Sequence, residues 1–249
     1  MSSRTRVKAY LAVIALFVVV GTCLRLSWWQ LERAEEKRVW LESQQQKAEL
    51  PPANLASLLA NDSPQHRRAR VFGVMDNAHS ILLDNRTLNR IAGYHLLTPM
   101  QTDEGQWVLI NRGWLPRGNR RDILPDIPVI EGRVQVEGTV YQSPGEAFVL
   151  KDEQLPDNQW PLRVQKVDFH AISEKLGVEL APFEIRVTPE LSLGGLDPLP
   201  RHWQDITVMA PEQHKAYALQ WLGLAIAALV IFLFAGTRAQ KRRLTGKPQ

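Results

Sequence analysis

The chain is poor in the residues and motifs that usually mark a catalytic or metal-binding site. Its single cysteine, Cys23, lies inside an apolar run near the N-terminus, so it forms neither an internal disulfide nor a CxxC site. No GxSxG elbow, GxGxxG loop or Walker A loop occurs, and the six histidines show no HxxH or HExxH spacing. The central part has no Lys/Arg run flanked by aromatic residues. The sequence therefore gives no support for acyl transfer, nucleotide binding, a preformed zinc site or nucleic-acid binding.

Two apolar runs stand near the ends of the 249-residue chain. Ala9–Leu24 contains no charged residue and continues past Arg25 into Trp28 and Trp29, which are typical of an interfacial aromatic belt. The second run is Ala216–Thr237. Because a bilayer core takes about 20 helical residues, both runs predict transmembrane helices. A cleaved signal peptide is the alternative for the first run, but no small-x-small cleavage site precedes a plausible mature start, which favours an uncleaved anchor.

The basic residues predict the orientation of the two spans. Lys and Arg residues precede the first span and follow the second, so the positive-inside rule places both termini in the cytoplasm. The central segment then lies in the periplasm of a bacterium, whose inner membrane is the expected location, or in the mitochondrial intermembrane space. The expected divisions are a tail at 1–8, a span at 9–29, a periplasmic domain at 30–211, a span with an interfacial start at 212–236, and a tail at 237–249.

The central segment predicts an α+β domain whose sheet is mainly antiparallel and partly barrel-like. A helical stalk is expected at Trp28–Leu50, ending at Pro51-Pro52, with helices at Ala53–Ala60 and Val167–Leu176, the last closed by Gly177. Gly145–Asp157 and Gly194–Arg201 are predicted loops. Short runs rich in β-branched and aromatic residues predict strands at Arg70–Met75, Ser80–Leu83, Tyr94–Thr98, Trp107–Asn111, Val134–Tyr141, Pro161–Lys166 and Phe183–Val187.

Three short segments carry a family resemblance. They are WQLER at 29–33, GYHLLTPM at 93–100 followed by WVLINRGWLPRG at 107–118, and HKAYALQW at 214–221. With the two-span topology, their order and spacing resemble the Surfeit locus protein 1 family, the cytochrome c oxidase assembly factors. The resemblance covers most of the chain, and the NRGWxP segment is its most specific part.

The resemblance implies a protein that is not an enzyme and that helps to build a haem–copper terminal oxidase. It implies transient binding of haem a and its transfer to cytochrome c oxidase subunit I and its assembly intermediates, with haem a synthase and the lipid bilayer as further partners. The family's suspected haem ligand, a histidine near the start of the second span, matches His214. Neutral imidazole is a strong iron ligand. His214, Tyr217 and Trp221 share one helix face, although an ordinary aromatic belt explains the same cluster.

The NRGW segment allows two interpretations. Asn111, Arg112, Gly113 and Trp114 could form a docking edge for the oxidase subunit, with Arg112 clamping haem propionates. The favoured interpretation is structural: Asn-Arg-Gly forms a strand-end turn, Gly113 takes a permissive backbone angle and Trp114 packs in the core. Gly93 is expected to be structural as well.

Other candidates are weaker. His95 is a second candidate haem ligand, although a strand histidine is more often packed or solvent-facing. Arg117, Arg120 and Arg121 form a basic loop, which is most often a solvated surface, and the region Gly145–Gln159 receives no role.

Two other classes of function compete with an assembly factor. A two-span sensor needs a cytoplasmic output domain, for which the tails are too short, and a periplasmic enzyme needs a clustered nucleophile, base or metal site. Within the assembly hypothesis, the sequence leaves open whether haem is carried directly or subunit I is only stabilised. The oxidase served, the haem type and the oligomeric state also stay open.

Overall fold

A computed structural model describes residues 3–118, 123–142, 159–196, 198–203 and 209–244 of the chain. Its helices are α1 (Ser3–Glu49), α2 (Leu55–Leu59), α3 (Phe169–Leu176) and α4 (Pro211–Leu244). Its strands are β1 (Arg68–Met75), β2 (Ile81–Leu88), β3 (Ile91–Thr102), β4 (Trp107–Pro116), β5 (Arg133–Tyr141), β6 (Leu162–Val164) and β7 (Leu180–Val187). The chain divides into two compact units: Met1–Ser43 with Ile206–Gln249, and Gln44–Asp205.

The first unit contains α4 and most of α1, as far as Ser43. Both are long and apolar enough to cross a membrane, and only 6% and 11% of their most apolar windows are buried, unlike the core helix of a soluble protein. This finding fits a membrane protein with two spans. The predicted span and stalk form one continuous helix, which ends at Glu49, just before Pro51 and Pro52. Proline disfavours helical geometry in the residue before it, which explains this end.

The less exposed side chains of α1 and α4 follow the alternating three- and four-residue spacing of a coiled coil. On α1 they include Leu16, Val20, Cys23, Ser27, Gln30, Ala34 and Lys37. On α4 they are Pro211, His214, Ala218, Trp221, Ala225, Ala228 and Phe232. We call these two sets the helix seam. Ser27 Oγ donates to the Ala218 carbonyl at 2.9 Å, and Gln30 Oε1 lies 2.7 Å from His214 Nδ1. From the first contact to the second, the position advances by three residues on α1 and goes back by four residues on α4. The two helices are therefore antiparallel.

The second unit is built around a mixed seven-stranded sheet with the order β1-β5-β7-β4-β3-β2-β6. The β2–β6 and β4–β7 pairs are parallel, and the remaining pairs among the described strands are antiparallel. The α+β class and the mainly antiparallel sheet are therefore confirmed. β1 also pairs with β3 through three residue pairs, from Gly73↔Thr102 to Met75↔Met100. The partly closed barrel stays a prediction.

Three apolar clusters of buried residues pack on the sheet. The largest joins strands β1, β3, β4, β5 and β7 to α2 through buried residues such as Leu55, Leu58 and Phe183. The second packs Ile172 of α3 against strands β2, β3, β4 and β6, and the third lies on β2, β3 and β4 around the buried Tyr94. The α3 helix ends as predicted, because Gly177 takes a left-handed conformation there. It starts two residues later than predicted, at Phe169, where the Asp168 side chain accepts from two backbone N–H groups.

Several element boundaries differ from the sequence predictions. β2 runs five residues beyond its predicted end at Leu83, and a two-residue turn at Asn89 and Arg90, both with positive φ, joins it to β3. This geometry is typical of the tight hairpin turns that suit twisted strands. β6 is only three residues long, and β7 begins before Pro182 rather than after it. The predicted loop Gly145–Asp157 lies outside the described residues, as do Arg120 and Arg121.

Candidate functional site

His214 lies in the first turns of α4, where α4 meets α1 in the helix seam. Its Nδ1 is 2.7 Å from Gln30 Oε1, and the ring is half-buried. An amide oxygen only accepts hydrogen bonds, so Nδ1 must carry the proton in this contact. A neutral imidazole with the proton on Nδ1 keeps the lone pair on Nε2. In this arrangement Nε2 is the ring nitrogen of His214 whose lone pair is able to bind a metal ion.

The neighbours of His214 on α4 divide into a packed side and an open side. Ala218 is 3% exposed and lies in the seam, whereas Tyr217 is 44% exposed. Trp221, one further turn along, is half-buried in the seam. The predicted stripe of three residues is therefore split: His214 and Trp221 belong to the seam, and Tyr217 lies beside it on the open side.

The seam is narrow beside His214 because small side chains occupy it. Ser27 and Ala218 are both buried, and the bond from the Ser27 hydroxyl to the Ala218 carbonyl requires a close approach of the two backbones. This bond lies one helical turn from the Gln30–His214 contact on each helix. The two contacts together set the register that brings Gln30 to His214.

The NRGW segment lies inside β4, so the predicted strand-end turn is wrong. β4 continues to Pro116, and a bulge opposite Leu96 and Leu97 accommodates the extra residue. Asn111 is fully buried, and its Nδ2 donates to Glu184 Oε1 at 3.0 Å. A sequence pattern alone does not locate a bulge, because the bulge depends on the register with β3.

Arg112 is buried inside the domain. Its Nη2 donates to the Pro128 carbonyl at 2.6 Å, and its Nη1 lies 3.4 Å from Thr98 Oγ1. Burial, and then the nearby charge of Arg201, lowers the pKa of Arg112 to about 10. The guanidinium is therefore still protonated at neutral pH, and its described contacts are internal to the domain.

Arg201 fastens the chain segment that follows β7, and sequence reasoning did not single it out. Its Nε donates to the Arg112 carbonyl at 2.7 Å, and its Nη1 lies 2.7, 3.3 and 2.6 Å from the carbonyls of Thr188, Pro189 and Leu191. The side chain is 7% exposed. The backbone N–H of Trp114 donates to Pro200 next to it. Arg201 thus ties this segment to the NRGW strand.

The chain packs closely around Gly93, Gly113 and Trp114. A Cβ on Gly93 would lie 2.2 Å from the Leu115 carbonyl oxygen and 2.5 Å from the Trp114 ring. Gly113 has a φ of 134°, and a Cβ there would lie 2.7 Å from Leu199 Cβ. The Trp114 indole N–H donates to the carbonyl of Arg86 at 2.9 Å. These contacts account for both glycines without a ligand.

His95 lies on β3 between Leu83 and Trp114 of the neighbouring strands. Its ring meets the Trp203 ring edge to face at 5.4 Å, and its buried Nδ1 has no hydrogen-bond partner. Burial, followed by the positive charges of Arg86 and Arg186, lowers the pKa of His95 from 6.5 to about 3. The ring is therefore neutral at physiological pH.

The structure leaves His214 and His95 as separate candidates in different units. Among the residues that the structure describes, no three His, Cys, Asp or Glu side chains are grouped so that they could hold a metal ion. Sequence reasoning missed Gln30 and Ser27 as neighbours of the site. Their signal was the three- and four-residue spacing of small and polar side chains along α1.

Fold and site together define a class: a chain with two helices long and apolar enough to cross a membrane, a mixed-sheet α+β domain between them in sequence, and a His–Gln pair where the helices meet. The model of the SURF1 family matches residues 17–226, and the chain belongs to this family. It is 28% identical over 228 residues to a SURF1-like protein of Rickettsia felis, covering 91% of this chain and 96% of that protein. It is 23% identical over 254 residues to the Surfeit locus protein 1 of Homo sapiens, covering 94% of this chain and 78% of that protein.

Proposed function

We propose that this protein is a non-enzymatic assembly factor for a haem–copper terminal oxidase and that it assists the delivery of haem a to subunit I. The observation that carries this proposal is the bonding of His214: Gln30 engages Nδ1, which leaves the Nε2 lone pair for an iron centre. Membership of the SURF1 family supports the same role.

The residues around His214 suit a haem group. A haem would supply an iron centre that binds an imidazole nitrogen. His214 would hold that iron through Nε2. Tyr217, on the open side of α4, and Trp221, in the seam, supply aromatic surface on the next two turns of the helix. His214 itself is half-buried, so part of its side chain is accessible to a ligand.

The proposed location is a bacterial inner membrane, with both termini in the cytoplasm and the sheet domain in the periplasm. Basic residues stand before the apolar run of α1 and after the apolar run of α4, and these positions support this orientation. We also infer that the sheet is partly barrel-like, because β1 pairs with β5 on one side and with β3 on the other. The proposed partners are subunit I, its assembly intermediates, haem a synthase and the bilayer.

The test is a haem spectrum of the detergent-purified full chain, co-expressed with the enzymes of haem a synthesis. We expect a haem a Soret band in the wild type and its loss in His214→Ala. His170→Ala is the matched control, because the His170 side chain is 83% exposed on α3 and belongs to the other unit. The control is expected to bind haem normally, and circular dichroism checks that each variant folds.

Two results would contradict direct carriage. A wild type that binds no haem under conditions that load a known carrier would leave only a scaffold acting on subunit I. A His214→Ala variant that retains the full Soret band would remove His214 as the ligand. In that case His95→Ala becomes the next variant, because the neutral His95 ring is the second candidate.

A further inference from the structure

We propose that Gln30 is the positioning residue for His214: its amide oxygen holds the ring in the Nδ1–H tautomer and so leaves Nε2 as the nitrogen without a proton. The purpose that we assign to this arrangement rests on the proposed haem role of His214. The arrangement itself is a property of the free protein and can be measured without haem.

The geometry of the pair supports this assignment. Gln30 Oε1 and His214 Nδ1 are 2.7 Å apart, a short distance for a neutral N–H···O hydrogen bond. The two residues are 184 positions apart in sequence, so the contact exists only when α1 and α4 are correctly paired. Both side chains are half-buried, which reduces competition from water for the hydrogen bond.

The helix seam holds Gln30 at this position. Ser27, one turn before Gln30, bonds to the carbonyl of Ala218, one turn after His214. A slip of one helix past the other by a single turn would move these groups by about 5.4 Å and break both hydrogen bonds. The tautomer of His214 is therefore coupled to the register of the two helices.

The chemical identity of the acceptor also matters. Histidine ligands commonly donate their other ring N–H to a carboxylate or a carbonyl, which fixes the ring and tunes its basicity. Gln30 offers a neutral amide oxygen, which attracts the Nδ1 proton less strongly than a carboxylate would. With a neutral acceptor, the His214 imidazole would hold the iron less tightly, which suits a protein that must release its cargo.

The first experiment measures the tautomer in the haem-free protein. Nitrogen-15 NMR of the histidine-labelled full chain in nanodiscs, with His214 assigned by its loss in His214→Ala, reports which ring nitrogen carries the proton. We expect Nδ1–H and a bare Nε2 in the wild type, and a shift towards Nε2–H in Gln30→Leu. Gln30→Glu keeps an acceptor oxygen and should therefore stay in the Nδ1–H form. Gln45→Leu is the control, because exposed Gln45 bonds within α1 to Glu49.

The second experiment measures the midpoint potential of the haem-loaded protein. Gln30→Glu should lower the midpoint potential and slow haem release, because a carboxylate acceptor makes the imidazole a stronger donor. Gln45→Glu should change neither value. A change in helix packing alone would not make Gln30→Leu shift the tautomer while Gln30→Glu keeps the wild-type form.

The outcomes separate this inference from the proposed function. An Nε2–H tautomer in the wild type, or a tautomer unchanged by Gln30→Leu, overturns the positioning role even if haem binds through His214. The expected tautomer in a protein that never binds haem supports the Gln30 assignment and contradicts the haem role. If Gln30→Leu fails to fold, the wild-type tautomer and the Gln30→Glu variant still decide the question.

Discussion

Replacing His95 with phenylalanine should make the protein less sensitive to acid. The pKa of His95 is about 3 in the folded protein, mainly because burial disfavours its charged form. Its ordinary value is 6.5. As the pH falls below that value, the unfolded chain takes up a proton at this position and the folded protein does not. His95 therefore reduces stability between about pH 6.5 and pH 3 and has no such effect above that window.

The size of the effect follows from the two pKa values. Between about pH 7 and pH 4.5, uptake of the proton by the unfolded chain favours unfolding by about 2.5 kcal/mol. For a chain of this length, that free energy corresponds to a difference in melting temperature of about 5–10 °C. Phenylalanine keeps an aromatic ring against Trp203 and removes a buried nitrogen that has no hydrogen-bond partner.

The assay is thermal unfolding of the full chain at the two pH values for the wild type, His95→Phe and a control. Carboxylates also titrate in this range, so the quantity of interest is the difference between variants in the pH-induced change. We expect His95→Phe to lose about 5–10 °C less than the wild type on acidification. His170→Gln, at the exposed His170, should behave like the wild type. Equal losses in the wild type and His95→Phe would refute the argument.

Two further substitutions test the contacts around the NRGW strand by the same unfolding assay. Gly93→Ala should cost on the order of 2–3 kcal/mol, because its Cβ would overlap the Leu115 carbonyl; Gly21→Ala, with open space around it, should not lower the melting temperature. Arg201→Met should cost about 3 kcal/mol, because it removes the donor for the buried carbonyl of Arg112 and for the partly buried bonds to the carbonyls of Thr188 and Leu191. Arg133→Met removes an exposed ion pair with Asp103 and should change the melting temperature little. Equal effects within either pair would contradict the contact argument.

Local sequence signals predicted much of the fold. The apolar runs located the long helices, and Gly177 marked the end of α3, whose predicted start at Val167 lies two residues before the observed one. Alternating residues located β5, and both the observed and the predicted strand end at Tyr141. These signals work because caps and periodic burial act within a few residues of one another.

Long-range pairing explains the boundaries that the sequence missed. β4 extends through the NRGW segment because β3 continues beside it as far as Gly93. β7 passes through Pro182, which a central strand normally excludes, at an irregularity in its pairing with β4. Arg201 bonds to carbonyls from two separate segments, so no local pattern marks it. Each of these features depends on which distant residues become neighbours.

The candidate site depended on which side of His214 packs against α1. Positions three and four residues after His214 lie on opposite sides of the line from His214 to Trp221, so spacing on α4 alone does not tell whether Tyr217 or Ala218 is buried. The structure buries Ala218 and leaves Tyr217 exposed. Because Ser27 and Ala218 are small, the helices approach closely enough for Gln30 to reach the ring. The orientation of His214 therefore depends on the pairing of the two helices, so a change that separates them should disturb this residue before it disturbs the sheet.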